Sequence, residues 1–332
     1  RRYIMSTLKV DAIRHNSATS DAITTVADGT CTARITGMTG GGGLSHRNLI
    51  INGACLIAQR GVSSTTSGDY TVDRFRPQWG NTDENATMAQ VDVASGTTPY
   101  TLGFRKALKI TNGNQTSGAG SSDRIRYRYK VESQDLANSG WNYVSSSSNV
   151  TLSFWIKSSV AQNFYGQFLT MDGTQRAYTF ETGSLTADTW TKITKTIPGN
   201  SNLQFDNDVN HGLTLELSTF RGTDKTGSIA LDAWNAYGGG TTRTPDQTST
   251  WYTTNGATFE YTAVQLEVGS VATPFEHRSF GDELLRCQRY CYADRGSEDY
   301  HAVAQGHFNG SSTAITMLYT PVCMRAAPTL SY

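Results

Sequence analysis

Apolar and polar side chains alternate in several short runs of this chain, and this period of two constrains its fold more than any other feature. Residues 149–157 place an apolar side chain at every second position, and residues 212–219 repeat the pattern with three leucines. Such alternation is typical of β-strands with one face on a core. Turn signals such as Asp172-Gly173 and Asn255-Gly256 separate the runs. The sequence therefore predicts an all-β protein built as a two-sheet jelly-roll sandwich.

Candidate strands recur along most of the chain, with two long loops expected at residues 61–100 and 237–254. Short strand-like pieces come first, at residues 7–13 and 30–35. The longer strands are predicted at residues 48–59, 102–111, 123–132, 149–157, 162–169, 192–197, 212–219, 226–236 and 258–267.

The chain divides into three predicted regions. Residues 1–47 form an extended, polar N-terminal arm, and the glycine run at residues 40–43 indicates a hinge. Residues 48–277 form the jelly roll, and residues 278–332 form one short helix followed by a small C-terminal β-module. Because the arm carries little apolar surface, we expect it to become ordered only against a partner; a disordered tail is the alternative.

The short helix has a recognisable start and one apolar stripe. Ser279 precedes Asp282 by three residues, which is a capping-box-like start. The stripe follows at helical spacing and consists of Phe280, Leu284, Cys287 and Cys291. It is a candidate oligomer interface if three helices meet around an axis, and packing on the chain's own sandwich is the alternative.

Composition excludes several classes of partner. Lys plus Arg equals Asp plus Glu at 28 each, so a formally neutral chain has no overall attraction to nucleic acid or to an anionic membrane. No apolar run is long enough to span a membrane, and no signal peptide is visible. The five scattered cysteines do not indicate a disulfide framework. We expect neither nucleic-acid binding nor membrane insertion.

Four segments carry a resemblance to a known family. They are QLEVGSVATPFEHRSFGDELLRCQRY (265–290), NLIINGACLIAQRG (48–61), YTVDRF (70–75) and the start of the chain at residues 5–29. These segments resemble tail-fibre and related virion proteins of tailed bacteriophages, especially phages of marine bacteria and cyanobacteria. The resemblance implies a virion subunit, assembled in the host cytoplasm, that forms homotrimers and contributes to host attachment. It also implies that residues 1–47 contact tail, baseplate or capsid proteins. A capsid decoration or head-fibre protein is one alternative, and a carbohydrate-binding or carbohydrate-active protein is another.

The middle of the chain also resembles the jelly roll of carbohydrate-binding modules. That resemblance implies that the segment NLIINGA runs beside the last strand, YTAVQLE. Many such modules hold a structural calcium through an Asp in the last strand. Here that strand begins Tyr261-Thr262-Ala263-Val264 without an Asp, so no calcium is expected there.

Aromatic residues in polar loops are the candidate glycan contacts, because a ring face can stack on the apolar face of a sugar. The candidates are Trp79, Trp141, Tyr143, Trp234, Tyr237, Trp251 and Tyr252. Packing in the core or in a subunit interface is the alternative for each ring. The basic run at residues 123–130, DRIRYRYK, could contact nucleic acid, but its alternation favours a half-exposed strand.

No catalytic site and no cofactor are predicted. The six histidines are dispersed, and none lies in a recognised hydrolase or metal motif. The nearest approach to a metal loop is Asp206, Asp208 and Asn210, which match the first three oxygen positions of a calcium loop. His211 and Leu217 then occupy the positions that need Gly and Glu, so a polar hairpin turn is favoured.

Overall fold

The computed structural model describes residues 12–13, 23–25, 31–33, 46–237, 240, 242–294, 305–310, 313–317 and 319–330. Residues 1–45 and residues 46–332 form two separate compact units. In the first unit, β1 (Ala12–Ile13), β2 (Ile23–Thr25) and β3 (Cys31–Ala33) pair as an antiparallel sheet. The predicted strand-like pieces at residues 7–13 and 30–35 contain β1 and β3. The predicted glycine hinge at residues 40–43 lies outside the described residues.

The second unit is an all-β jelly-roll sandwich of two six-stranded antiparallel sheets. The first sheet has the order β14-β11-β10-β13-β8-β5 and the second has the order β12-β9-β15-β7-β6-β4. The strands are β4 (Ser63–Ser64), β5 (Phe75–Gly80), β6 (Thr87–Asp92), β7 (Lys106–Thr111), β8 (Arg124–Glu132), β9 (Asn149–Ser158), β10 (Asn163–Thr170), β11 (Arg176–Ser184), β12 (Thr191–Pro198), β13 (His211–Arg221), β14 (Ala233–Ala236) and β15 (Thr258–Val268).

Short helical elements and one hairpin complete the second unit. The helices are α1 (Thr98–Thr101), α2 (Ser133–Ala137), α3 (Thr250–Thr253) and α4 (Phe280–Gln288), with a 3₁₀ turn at Thr223–Lys225. After α4, β16 (Gln305–Phe308) and β17 (Ala314–Met317) pair as an antiparallel hairpin. The predicted short helix is confirmed, and Ser279 Oγ accepts a hydrogen bond from the Asp282 amide at its start, as the sequence indicates.

The core lies between the two sheets and is rich in aromatic rings. Tyr127 and Tyr261 pack edge to face with ring centroids 4.6 Å apart. The hydroxyl of Tyr127 donates to the Phe259 carbonyl at 2.7 Å, and the hydroxyl of Tyr129 accepts from the Ile51 amide at 2.7 Å. A buried ring removes about 150–250 Å² from water. Because their polar ends are also paired, these tyrosines stabilise the core without a desolvation penalty.

Six predicted strands are confirmed by β8, β9, β10, β12, β13 and β15, and the predicted strand at residues 102–111 shortens to β7. The prediction of a long loop at residues 61–100 is wrong, because β4, β5, β6 and most of α1 lie there. Pro77 interrupts the strand pattern of β5, yet β5 is an edge strand, where a residue without an amide hydrogen is tolerated. β11 was not predicted, and the predicted strand at residues 226–236 shortens to β14.

The predicted opening strand at residues 48–59 is also wrong, although its position is as expected. Asn52 and Cys55 have φ values of 62° and 57°, a left-handed conformation that lies outside the range of a regular strand. The segment nevertheless runs beside β15, where the amide of Leu49 donates to the Leu266 carbonyl at 2.9 Å. Asn48 also bonds both Val264 and Leu266 through its side chain.

A buried network, which we call the clamp, joins this opening segment to the start of α4. The clamp consists of Glu276, Arg278 and Glu283. Glu276 accepts from the Asn48 amide at 2.7 Å, and Glu283 accepts from the Asn52 amide. Arg278 lies between the two carboxylates, at 3.4 Å and 3.5 Å. The three charged side chains of the segment at residues 265–290 therefore have a structural role, which is to join the opening segment to α4.

Candidate functional site

The outer face of the first sheet carries a row of positive charges. In β8 every second residue points into the core, so Arg124, Arg126, Arg128 and Lys130 point outward and are half-buried. The register places Arg76 of β5 opposite Arg128, and Glu216 of β13 on the other side of Arg128. The alternation that builds β8 therefore also produces a basic surface.

Glu216 lies at the centre of this surface and is only 2% exposed. Its carboxylate is 3.1 Å from Arg126 Nη1 and 3.4 Å from Arg128 Nε, and it also pairs with the buried Arg221. Gln167 donates to it at 3.0 Å. A single carboxylate thus pairs with three guanidinium groups, so the net charge of this cluster remains positive.

Several polar atoms around Glu216 are buried without a hydrogen-bond partner. Among the described residues these atoms include Nε of Arg126 and Arg221, Oε1 of Gln167 and Oγ1 of Thr214. A buried polar atom without a partner is uncommon in folded proteins and costs about 1–3 kcal/mol. The surface therefore holds more hydrogen-bonding capacity than the chain itself uses.

A groove runs from this surface toward α4, and we call it the basic groove. Its smaller part, of about 20 Å³, is lined by Tyr70, Arg74, Arg76, Arg128 and Lys130. Its larger part, of about 270 Å³, shares Tyr70, Arg74 and Lys130 and extends to Arg60, Asp73, Glu132, Val209, His211, Cys287, Tyr290, Cys291 and Arg325. Cations outnumber carboxylates along its walls.

The cations of the basic groove are held in place by aromatic rings and carbonyl groups rather than by carboxylates. The guanidinium of Arg74 lies 3.4 Å from the Tyr290 ring centre and 5.0 Å from that of Tyr129. Arg76 lies 5.7 Å from the Tyr70 ring and donates to the Gly68 carbonyl at 2.8 Å. Within the described ranges, no carboxylate is at ion-pair distance from Arg74, Arg76 or Lys130. Arg74 and Arg76 are therefore held in place without an ion pair among the described residues.

Burial and mutual repulsion lower the pKa values of several groups on this face. Burial, followed by repulsion from Arg128 and Arg243, lowers the pKa of Arg126 to about 9. Burial and then the neighbouring arginines Arg128 and Arg76 lower the pKa of Lys130. For His211 the causes are burial and then Lys130, so the imidazole pKa lies below its usual range. In all three groups burial is the larger cause, and repulsion from neighbouring cations adds to it.

The two carboxylates in the larger part of the groove are already bonded. Arg289 donates to both oxygens of Glu132 at 2.9 Å, and Tyr290 donates to the same group. Asp73 accepts hydrogen bonds from the amide and the side chain of Gln59. Burial would raise the pKa of Glu132, but the hydrogen bonds from Arg289 and Tyr290 outweigh it and lower the pKa.

Four of the seven predicted glycan-binding aromatics lie in the core. Trp79, Trp141, Trp251 and Tyr252 are at most 5% exposed. Trp141 packs against Phe205, and Tyr252 stacks on Phe220 with ring centroids 4.3 Å apart. None of these four rings presents a face to solvent. They match the alternative interpretation, in which the ring packs in the core.

The other three predicted aromatics are half-buried. Tyr143 packs edge to face on Phe205, and Trp234 donates to the Pro198 carbonyl at 2.7 Å. Only Tyr237 belongs to the basic surface: its hydroxyl accepts from Arg243 at 2.6 Å, and Arg243 also lies 5.4 Å from the ring centre. Arg243 contributes to the repulsion at Arg126 and Arg221.

The two remaining site predictions fall on ordinary structural contacts. Asp208 accepts from the amide and the side chain of Asn210, and Asp206 accepts from Gln204 at 2.6 Å, as in a polar turn. On α4, Leu284 and Cys287 pack against Ile51 and Ile57 of the same chain, whereas Phe280 is 62% exposed and Cys291 is half-buried. The stripe is therefore largely covered within the chain.

Only some residues of the basic groove could be placed from the sequence. The alternation in residues 123–130 places Arg124, Arg126, Arg128 and Lys130 correctly on one outer face. Tyr70, Arg74 and Arg76 were not recognised, because they belong to the region predicted as a loop. The two groups come together because β5 pairs with β8, and no local sequence pattern predicts that pairing.

The comparisons with known proteins yield distant likenesses only. No protein-family model matches the chain, and no curated protein matches it. Among solved structures, the enzymatically active domain of bacteriophage CBA120 tailspike protein 4 is similar at 8% identity and a TM-score of 0.35, over 67% of this chain and 21% of that chain. A putative sugar-binding protein from Bacteroides thetaiotaomicron is similar at 12% identity and a TM-score of 0.36, over 67% of this chain and 100% of that chain.

The family 11 carbohydrate-binding module from Clostridium thermocellum, solved with a mixed-linked tetrasaccharide, is similar at 10% identity and a TM-score of 0.28. That likeness covers 65% of this chain and 98% of that chain. At these identities and TM-scores, the likenesses assign neither an activity nor a ligand. Across the part of the chain that the structure describes, no helix is long and apolar enough to cross a membrane, and no cluster of three metal-ligating side chains is present.

Proposed function

We propose that this protein is a bacteriophage virion subunit, a tail fibre or related appendage, whose sandwich binds a glycan on the host surface. The observation that carries the glycan part is the basic groove. It is a concave site on a paired sheet, it is bordered by the tyrosine rings of Tyr70 and Tyr290, and it contains cationic donors that pair with no carboxylate among the described residues.

These features match what a sugar requires of a protein. A ring can contact the apolar face of a pyranose, and charged or amide groups can bond its hydroxyls. Because β5 and β8 are joined by strand pairing, the groups on the two sides of the groove keep their spacing without a ligand. Pre-organisation of this kind lowers the entropic cost of binding.

The virion part rests on the sequence resemblance of residues 265–290 and of the N-terminal segments to phage tail-fibre proteins. In this proposal residues 1–47 attach the subunit to the particle, and several copies multiply a weak glycan contact. The proposed mechanism is binding without catalysis.

Binding of the labelled full chain to isolated bacterial surface polysaccharides tests the glycan part. We expect binding to a subset of them that is lost after periodate oxidation of the sugars. Tyr70→Ala should weaken that binding roughly tenfold, as expected for a lost ring contact of about 1.4 kcal/mol. Tyr100→Ala is the matched control, because Tyr100 is also half-buried beneath an arginine, Arg105 at 3.9 Å, and packs with the apolar cluster of Phe104 and Ala107 away from the groove. Equal effects of the two changes would contradict the proposal.

Immunogold labelling of purified phage particles tests the virion part. The proposal expects label at the tail. Label spread over the head would instead indicate a decoration or head-fibre protein. Absence of the protein from particles would contradict any virion role and favour a carbohydrate-binding or carbohydrate-active protein that acts outside the particle.

A further inference from the structure

The charge of the basic groove indicates which class of glycan would bind there. The whole chain is neutral, with 28 basic and 28 acidic residues. Random placement of these charges would give the groove about as many carboxylates as cations. Among the described residues that line the groove, there are two carboxylates, Asp73 and Glu132, against six cations, Arg60, Arg74, Arg76, Arg128, Lys130 and Arg325.

Both of those carboxylates are engaged by groups other than the uncompensated cations. Glu132 is bonded by Arg289 and Tyr290, and Asp73 by Gln59. Glu216, which lies next to Arg128, is shared with Arg126 and the buried Arg221. Among the described residues, no carboxylate lies within ion-pair distance of Arg74, Arg76 or Lys130, and Asp73 attracts Arg74 only over a longer distance.

The neighbourhood also limits how far water and salt can screen these charges. The side chains of Arg126 and Arg128 are 14% and 21% exposed, and Arg221 is 1% exposed. Partly buried charges are screened much less by salt than exposed ones. Arginine presents a planar donor fork that matches a carboxylate or a sulfate group.

We propose that the basic groove binds an acidic glycan, one whose sugars carry carboxylate or sulfate groups, with Arg76, Arg128 and Lys130 as the residues that recognise the negative charge. This inference rests on the proposed function, since it names the class of glycan. A neutral glycan would leave the cations uncompensated. A nucleic acid is disfavoured because the chain has zero net charge and so has no overall attraction to a polyanion.

The experiment compares ligands that differ only in charge. The full chain is titrated calorimetrically with polygalacturonate and with the same polymer after carboxyl reduction, and in parallel with dextran sulfate and dextran. The salt concentration is about 0.15 M, where the Debye length is about 8 Å and weak surface attraction is screened. Duplex DNA serves as a polyanion without sugar carboxylates.

Two double variants, each of which removes two positive charges, test whether the groove is the binding site. Arg76→Gln with Lys130→Gln removes two cations that pair with no carboxylate, so we expect the fold to persist. Lys106→Gln with Lys157→Gln removes two cations from the second sheet, where they pair with Asp92 and Glu260. Circular dichroism and thermal melts of both variants verify folding before binding is compared.

We expect at least one acidic polymer to bind, its neutral counterpart to bind at least tenfold more weakly, and the groove variant to lose roughly ten- to a hundredfold in affinity. The second-sheet variant should bind like the unmodified chain. Polygalacturonate and dextran sulfate distinguish carboxylate from sulfate recognition. Equal effects of the two variants, or equal binding of duplex DNA, would overturn the inference. Tight binding of the neutral polymers only would overturn it while leaving the proposed glycan binding intact, and failure to bind any glycan would overturn both.

Discussion

The two sheets of the sandwich share one core but have contrasting outer faces. On the second sheet, Lys157 pairs with Glu260 at 3.2 Å and Lys106 pairs with Asp92 at 2.6 Å. A second apolar cluster, formed around Phe104, Ala107 and Ala263, covers part of that face. On the first sheet, three arginines share Glu216, and the basic groove holds further cations without a carboxylate.

The proposal of glycan binding rests on this difference between the two faces. The chain covers the second sheet with α1 and with the segment that contains Phe275, so its own residues satisfy that face. The first sheet retains unpaired buried donors, which cost stability. Proteins tolerate such costs mainly at functional sites, and binding of a partner would offset them.

Glu216→Gln should have the largest effect on stability. The change removes the carboxylate that compensates the fully buried Arg221, and we expect a loss of about 3–5 kcal/mol in the free energy of unfolding. Glu260→Gln on the second sheet is the matched control, with an expected loss of about 1 kcal/mol or less, because Lys157 can reach water. Urea unfolding at neutral pH measures both, and equal losses would contradict the contrast between the faces.

Phe104→Ala should destabilise the chain by about 3 kcal/mol, since Phe104 is 2% exposed and contacts Phe275 with ring centroids 5.0 Å apart. Tyr70→Ala in the basic groove should cost no more than about 1 kcal/mol, because its ring is half-buried and has no such apolar cover. Thermal unfolding of the two variants compares them. A larger loss for Tyr70→Ala would show that the groove is part of the core.

Glu132→Gln should reduce both stability at neutral pH and its dependence on acid. The folded-state pKa of Glu132 is lowered, so its stabilising contribution is present above the ordinary glutamate pKa of about 4.5 and is lost as the pH falls through the folded-state pKa. We expect a loss of about 1–2 kcal/mol at pH 7, because Arg289 remains partly exposed. Urea unfolding from pH 7 downward should bring the variant and the unmodified chain together. A gap that stays constant with pH would contradict this assignment.

Phe280→Ser should change stability by no more than about 0.5 kcal/mol, because the ring is 62% exposed and lies outside both sheets. The informative measurement is sedimentation of the full chain. If α4 is a subunit interface, the variant will shift from the oligomer to the monomer. An unchanged sedimentation coefficient would remove Phe280 from the candidate oligomer interface.

The sequence predicted the fold better than the site, and particular residues show why. Strands with clean alternation, such as β8 and β9, follow from the period of two alone. β5 was not predicted, because Pro77 and Gly80 interrupt the alternation of apolar and polar residues. Its place in the fold depends on pairing with β8. The same missed strand carries Arg76, so the groove could not be assembled from the sequence. Trp251 and Tyr252 lie in a polar stretch, yet tertiary packing buries them completely.

A crystal structure of the full chain with a short galacturonate oligosaccharide would test the groove most directly. The proposal predicts a sugar carboxylate within hydrogen-bond distance of Arg76, Arg128 or Lys130, and a sugar ring beside Tyr70. An oligosaccharide bound on the outer face of the second sheet, or a groove that stays empty at saturating ligand, would contradict it.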